Sequence, residues 1–277
     1  MKNLKLAAVC LSCLTMTGCS ALNFSVEGLI NAPKLTSEQS EIHQALIESV
    51  GSNITLKYPK NGEYRSAYVI ANIDDEPTDE AMVFYEYTSN GSEEDGLRVN
   101  ILDKDEDGKW YSVKELAGAG TDIDQVIISP MGSNNQTDVF VGYQNLTNDE
   151  KTMEIYSYTD GDFKRVALDT YSVLEPLDIN NDGYIELITI QRSTNNDTGA
   201  VTAKASMLNM KNNEITRGEN VDMCDNVTSY VSSKTGMLDS GRRAIFIDGL
   251  TADGKLQTEI ILSLIHISEP TRLLSIS

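Results

Sequence analysis

Histidine is nearly absent from this chain, with two in 277 residues, His43 and His266. No GxSxG or HExxH motif occurs, and Cys224 has no histidine partner in the sequence. These gaps remove most triad, zinc and thiol chemistries, which place an imidazole beside the nucleophile or on the metal. Paired carboxylates for glycoside hydrolysis stay open, because any chain with 42 acidic residues contains many pairs. Positive charge is also scarce. A net charge of −20 and a pI near 4.4 argue against nucleic acid or an anionic lipid surface as partner.

Long apolar runs are missing as well. Leu6 to Met16 is too short to span a bilayer as a mature helix. It follows the basic residues Lys2 and Lys5 and precedes Met16-Thr17-Gly18-Cys19, an arrangement that reads as a signal segment. The last four residues resemble the bacterial lipobox. That resemblance implies cleavage before Cys19 and a diacylglycerol on its sulfur, hence attachment at the outer face of the cytoplasmic membrane. Residues 1–18 would then be signal and 19–35 a tether. Cys10 and Cys13 would leave with the signal and Cys19 would carry lipid, so Cys224 alone would remain, excluding a disulfide within one chain. Losing Lys2 and Lys5 would make the mature chain two charges more negative than −20.

What the chain does hold is β composition. Tyrosine dominates the aromatics (12, against five Phe and one Trp), and Ser, Thr, Asn, Asp and Gly recur between short apolar runs. One helix is expected over 36–51: Thr36 and Gln39 fit a capping box, Ile42, Ala45, Leu46 and Val50 form a stripe, and Gly51 stands where a helix stops. His43 lies off that stripe, which places it in solvent.

The most specific motif is Asp178 to Glu186, DINNDGYIE, between the apolar runs VLEPL and LITI. Asp178, Asn180, Asp182 and Glu186 take loop positions 1, 3, 5 and 9, the carbonyl of Tyr184 is a further donor, and Gly183 allows the sharp turn. That is the spacing of a calcium loop, since a hard cation needs several oxygens converging at once. Position 12 is Thr189 where an EF-hand needs glutamate, and the flanks lack a 3.6-residue period, so the loop joins two strands. In this form it resembles the calcium-binding turn of FG-GAP/VCBS-type β-propeller repeats.

Weaker copies surround it. Asn72, Asp74, Glu76 and Glu80 repeat positions 1, 3, 5 and 9 with Pro77 in place of glycine, a second and weaker cation site that must follow another path because proline cannot take positive φ. Pro130, Gly132, Asn134 and Asp138 form an eroded copy expected to hold no metal. A fourth copy is expected from Ala244, with Asp248 at position 1. Asp107-Gly108, Asp160-Gly161 and Asn212-Asn213 mark hairpin turns. Each unit then reads as strand, acidic loop, strand, strand, hairpin, strand, at steps of 58, 48 and 70 residues against the ~40–50 of a propeller blade.

The expectation is an all-β fold: an incomplete β-propeller of four-stranded antiparallel blades over 52–261, about three and a half in number, after one helix. The mature chain resembles the VCBS/FG-GAP repeat lipoproteins of anaerobic Gram-positive, clostridial-type bacteria. The resemblance implies a lipid-anchored extracellular module that binds or scaffolds protein or glycan, with Ca2+ as structural staple and no catalysis. The alternative is an extracellular carbohydrate-active enzyme or its accessory module. Residues 262–277, LSLIHISEPTRLLSIS, break every preceding pattern and correspond to a translated transposase-type sequencing adapter, so the natural chain is expected to continue differently after Ile261.

Overall fold

The structure is a computed structural model, and it describes residues 35–262 and 274–276 apart from 75, 89–95, 132–135, 146–149, 179–181, 195–200, 212–213, 224–226, 239–240 and 242. Cys19 and Asn180 therefore lie outside the described residues, as do Gly132 and Asn134. Two compact units divide the chain at Ser40, the first contributing only the opening of one helix. All the strands belong to the second unit, and of the first only residues 35–40 are described.

Helix α1 spans Ser37–Val50. Its capping box is closed: the Gln39 N–H donates to Thr36 Oγ1 and the Thr36 N–H to Gln39 Oε1, both at 3.1 Å. Ile42, Ala45 and Leu46 are buried. Gly51 ends the helix at φ +84°, its N–H on the carbonyl of Ile47. His43 corrects its expected solvation, because it is half-buried and its Nδ1 lies 2.8 Å from the hydroxyl of Tyr68.

The rest is β structure in four antiparallel sheets taken in chain order. The first holds β1 (Ile54–Leu56), β2 (Tyr68–Ala71), β3 (Glu80–Tyr87), β4 (Leu97–Lys104) and β5 (Trp110–Ala117). Here β1 and β2 lie end to end along one edge of β3, so five strands fill four positions. The second is β6 (Asp122–Ser129), β7 (Asp138–Gln144), β8 (Lys151–Thr159) and β9 (Asp162–Tyr171). In the third, β10 (Val173–Leu177), β11 (Glu186–Thr194) and β12 (Val201–Lys211) are followed by a split last position, β13 (Glu214–Arg217) and β14 (Val221–Asp222). The fourth is β15 (Val227–Met237), β16 (Arg243–Thr251), β17 (Leu256–Leu262) and β18 (Leu274–Ile276). Every sheet is thus a four-position meander.

Period-2 alternation sends each sheet's side chains to two partners. On β3, Ala81, Val83 and Tyr85 face α1, while Met82 and Phe84 face the second sheet through Val126, Val139 and Tyr143. The second sheet meets the third through Phe140, Ile155, Leu174 and Leu187, and the third meets the fourth through Ile188, Ile190, Ile245 and Ile247. Because both faces are covered, the second strand of the first sheet carries the unbroken apolar run AMVFY.

Tight turns follow the expected chemistry. Asp160 and Gly161 both take positive φ (54° and 73°) between the paired residues Thr159 and Asp162, the geometry of a two-residue type I′ hairpin. Asp107-Gly108 and Asp253-Gly254 close matching turns, with Gly108 and Gly254 each at φ +77°. The second of these corrects the fourth repeat. Asp248 sits in mid-strand β16, opposite Ser232 and Thr258, rather than opening a loop. The equivalent loop is 238–242, one strand earlier.

Candidate functional site

In each sheet a loop joins the first strand to the second, and in the first three sheets it has the same length: 72–79, 130–137 and 178–185, with 238–242 shorter. Counting from the first residue after the first strand, the loops start at 72, 130, 178 and 238. The acid at position 9 opens the second strand in three cases, as Glu80, Asp138 and Glu186.

These acids and their neighbours brace the loop backbone. Glu80 Oε2 accepts the N–H of Ile73 at 2.8 Å, and Asp138 Oδ2 accepts the N–H of Met131 at 3.0 Å, the same bond in two successive repeats. Both acids are buried, Glu80 at 3% exposure and Asp138 at 1%. Burial pushes the Glu80 carboxyl up to about 7, with Asp74 and Asp103 adding to the rise and the Ile73 N–H opposing it. In the first loop Asn72 Nδ2 holds the carbonyls of Glu76 and Thr78, and Asp74 Oδ1 accepts the N–H of Glu76, so side-chain bonds shape the turn around Pro77 without a glycine.

The third loop is braced from position 1. Asp178 Oδ1 and Oδ2 accept the N–H groups of Asp182 and Gly183 at 3.2 and 3.1 Å, Asp182 Oδ1 accepts that of Tyr184 at 2.9 Å, and Gly183 has φ +89°. Asp178 and Asp182 thus share one turn, and Glu186 pairs with Leu177 at its base. The donor set suits a hard cation, as carboxylates that accept one backbone bond per oxygen keep further lone pairs. Among the described residues, however, no three acidic, histidine or cysteine side chains gather at one point. A guanidinium is close by: Arg243 Nη1 donates to the carbonyl of Asp178.

Neighbouring loops are tied to one another. Ile185, ending the third loop, donates its N–H to the carbonyl of Pro130, which opens the second, at 3.0 Å, while Arg243 links the third to the start of β16.

A cavity of about 470 Å³ lies where first strands β6, β10 and β15 meet the segment 61–64. That segment belongs to the stretch between β1 and β2, which bonds to β6 through Lys60 N–H to Ile123 O and Asn61 N–H to Asp124 O. Asp124, 1% exposed, is the cavity's anchored charge. Its Oδ1 takes Lys151 Nζ and Asn61 Nδ2 at 2.8 Å each, and its Oδ2 takes the Tyr171 hydroxyl at 2.6 Å. Burial, then the Asp124 charge, raises the Tyr171 pKa well above its ordinary value and keeps the hydroxyl a donor. Across the cavity Ser233 donates to Glu175, whose carboxyl is raised by burial against the pull of that bond. None of these residues was singled out from the sequence. The available signal was a polar pair, Asp124-Gln125, inside the apolar run of β6.

No family model matches the chain, and no curated protein matches it.

Proposed function

We propose that this chain is a lipid-anchored extracellular binding module of the FG-GAP/VCBS-repeat kind, held at the outer face of the membrane through Cys19, its four sheets acting as blades of a partial β-propeller. Three findings support the propeller reading. Each sheet is a four-position antiparallel meander, each packs on the next in chain order, and equivalent loops recur after 58, 48 and 60 residues (72 to 130, 130 to 178, 178 to 238). Calcium at Asp178, Asn180, Asp182, Tyr184 and Glu186 serves as a structural staple within the array.

The observation that carries the binding function is the 470 Å³ cavity on which three first strands converge. Its volume lies within the range of small-ligand sites, and amides, hydroxyls, carboxylates and Tyr64 line it. That lining suits a polyhydroxylated ligand such as a glycan, or a polar protein segment. The full chain should be retained on purified cell-wall glycan, and Tyr64→Ala or Ser233→Val should release it. Retention unchanged in both variants would refute the cavity as the binding site. Release of new reducing ends from the glycan would favour the carbohydrate-active enzyme instead. Anchoring is tested separately: Cys19→Ala should leave the membrane fraction, since two acyl chains hold firmly where one does not.

A further inference from the structure

A second cavity, of about 210 Å³, lies between the first sheet and the β8–β9 hairpin of the second. Five carboxylates line it, Asp74, Glu76, Glu80, Asp103 and Asp162, against one cation, Lys114. That cation is already committed, with Lys114 Nζ 2.6 Å from Asp162 Oδ1 and 2.7 Å from the carbonyl of Phe163. Glu80 is the unusual member. It is 3% exposed, its Oε2 is used by the Ile73 N–H, and its Oε1 is buried without a hydrogen-bond partner among the described residues. A buried acceptor left without a donor is costly and marks a place where a donor belongs.

The form of the cavity selects the donor. A directly ligated metal needs oxygens converging at about 2.3–2.6 Å, but these carboxylates are distributed around the space instead of gathering at one point. Between them lie apolar walls from Ile73, Ile101, Val113 and Phe163, with the Tyr111 and Tyr158 rings beside them. Apolar walls suit methylenes, rings suit an organic cation, and the spread of acids suits an ammonium with three diverging N–H donors. At ~30 Å³ per water, the cavity holds roughly seven waters, room for a four-carbon stem and its ammonium. We infer that this cavity binds an alkylammonium group, from a free amine or a lysine side chain, with Glu80 Oε1 as its buried acceptor and Asp103 supporting from β4. The site is separate from the 470 Å³ cavity and does not depend on the function proposed for it.

The test is a titration of the full chain at low salt with n-butylammonium and with Nα-acetyl-lysine methylamide, followed by NMR, with n-butanol as the uncharged comparison. Both amines should bind with Kd on the order of 1 mM, and n-butanol should not. If the butylammonium alone binds, the source is a free amine; if both bind, a lysine side chain also fits; either supports the site. Glu80→Gln keeps an amide oxygen for the Ile73 N–H and so should fold, yet weaken binding about tenfold or more. Asp103→Asn, remote from the loop brace, should weaken it severalfold. Amine affinity unchanged in both variants, n-butanol binding equally well, or no amine binding would each overturn the assignment. So would calcium binding that Glu80→Gln abolishes in a chain that takes up neither amine.

Discussion

At the scale of residues, the strongest polar feature is Asp124. Lys151 is its counter-charge, and Asn61 and Tyr171 add two neutral donors. Lys151→Met would keep most of the volume but leave a buried carboxylate with two neutral donors. Removing one partner of a buried pair costs far more than the pair itself contributes. Chemical denaturation should therefore show a loss of about 3 kcal/mol, whereas breaking an exposed pair such as Lys255 with Asp253 should leave the curve nearly unmoved. Glu175 yields a pH prediction. Its folded-state pKa is raised by burial, so its contribution is fully present below the unfolded carboxylate pKa and is lost as pH climbs through the raised folded value. Stability measured from pH 4 upward should fall in the wild type relative to Glu175→Gln, and parallel curves would refute the assignment.

At the scale of elements, what was legible in the sequence was local. The capping box at Thr36, the stop at Gly51 and the Asp160-Gly161 hairpin each rest on residues within a few positions of one another, and all three appear as read. The loops at 72, 130 and 178 were also placed correctly, because acid spacing and flanking apolar runs bound them on both sides. The misplaced fourth loop has a specific cause. An Asp-Gly turn closes a hairpin between second and third strands as readily as it punctuates a cation loop, and Asp253-Gly254 does the former. The Asp124 cluster was not legible, since it draws on residues 61, 124, 151 and 171 from four different segments. His43 was misread for the same reason: its partner, Tyr68, is on β2. A close approach inside the second sheet gives a test at this scale. A Cβ on Gly142 of β7 would stand 2.1 Å from the Tyr171 hydroxyl, which is tied to Asp124 and cannot retreat. Gly142→Ala should cost about 2–3 kcal/mol by overpacking. Adding Tyr171→Phe should recover part of that loss in a double-mutant cycle, and simple additivity would contradict the contact.

At the scale of the whole molecule, the sheets repeat and acids close the first loops of three of them in different ways. Glu80 and Asp138 close theirs with a bond to the second loop residue, and Asp178 closes the third with two backbone bonds of its own. The last sheet takes its fourth strand, Leu274–Ile276, from the segment that follows β17. At the third loop Arg243 Nη1 donates to the Asp178 carbonyl, and the calcium ion proposed there would be a second positive charge on the same turn. At ~1 mM calcium and a Kd of ~10⁻⁴ M, linkage adds roughly 1.4 kcal/mol. In a chain of this size that raises the melting temperature by about 3–5 °C. The deciding measurement is the thermal melt of the full chain in EDTA and in 1 mM calcium, for wild type and Asp182→Ala. A rise of that size in wild type and none in the variant is the predicted result; equal melting temperatures with and without calcium in wild type would show that Arg243 alone staples the loop and would remove the metal from the account.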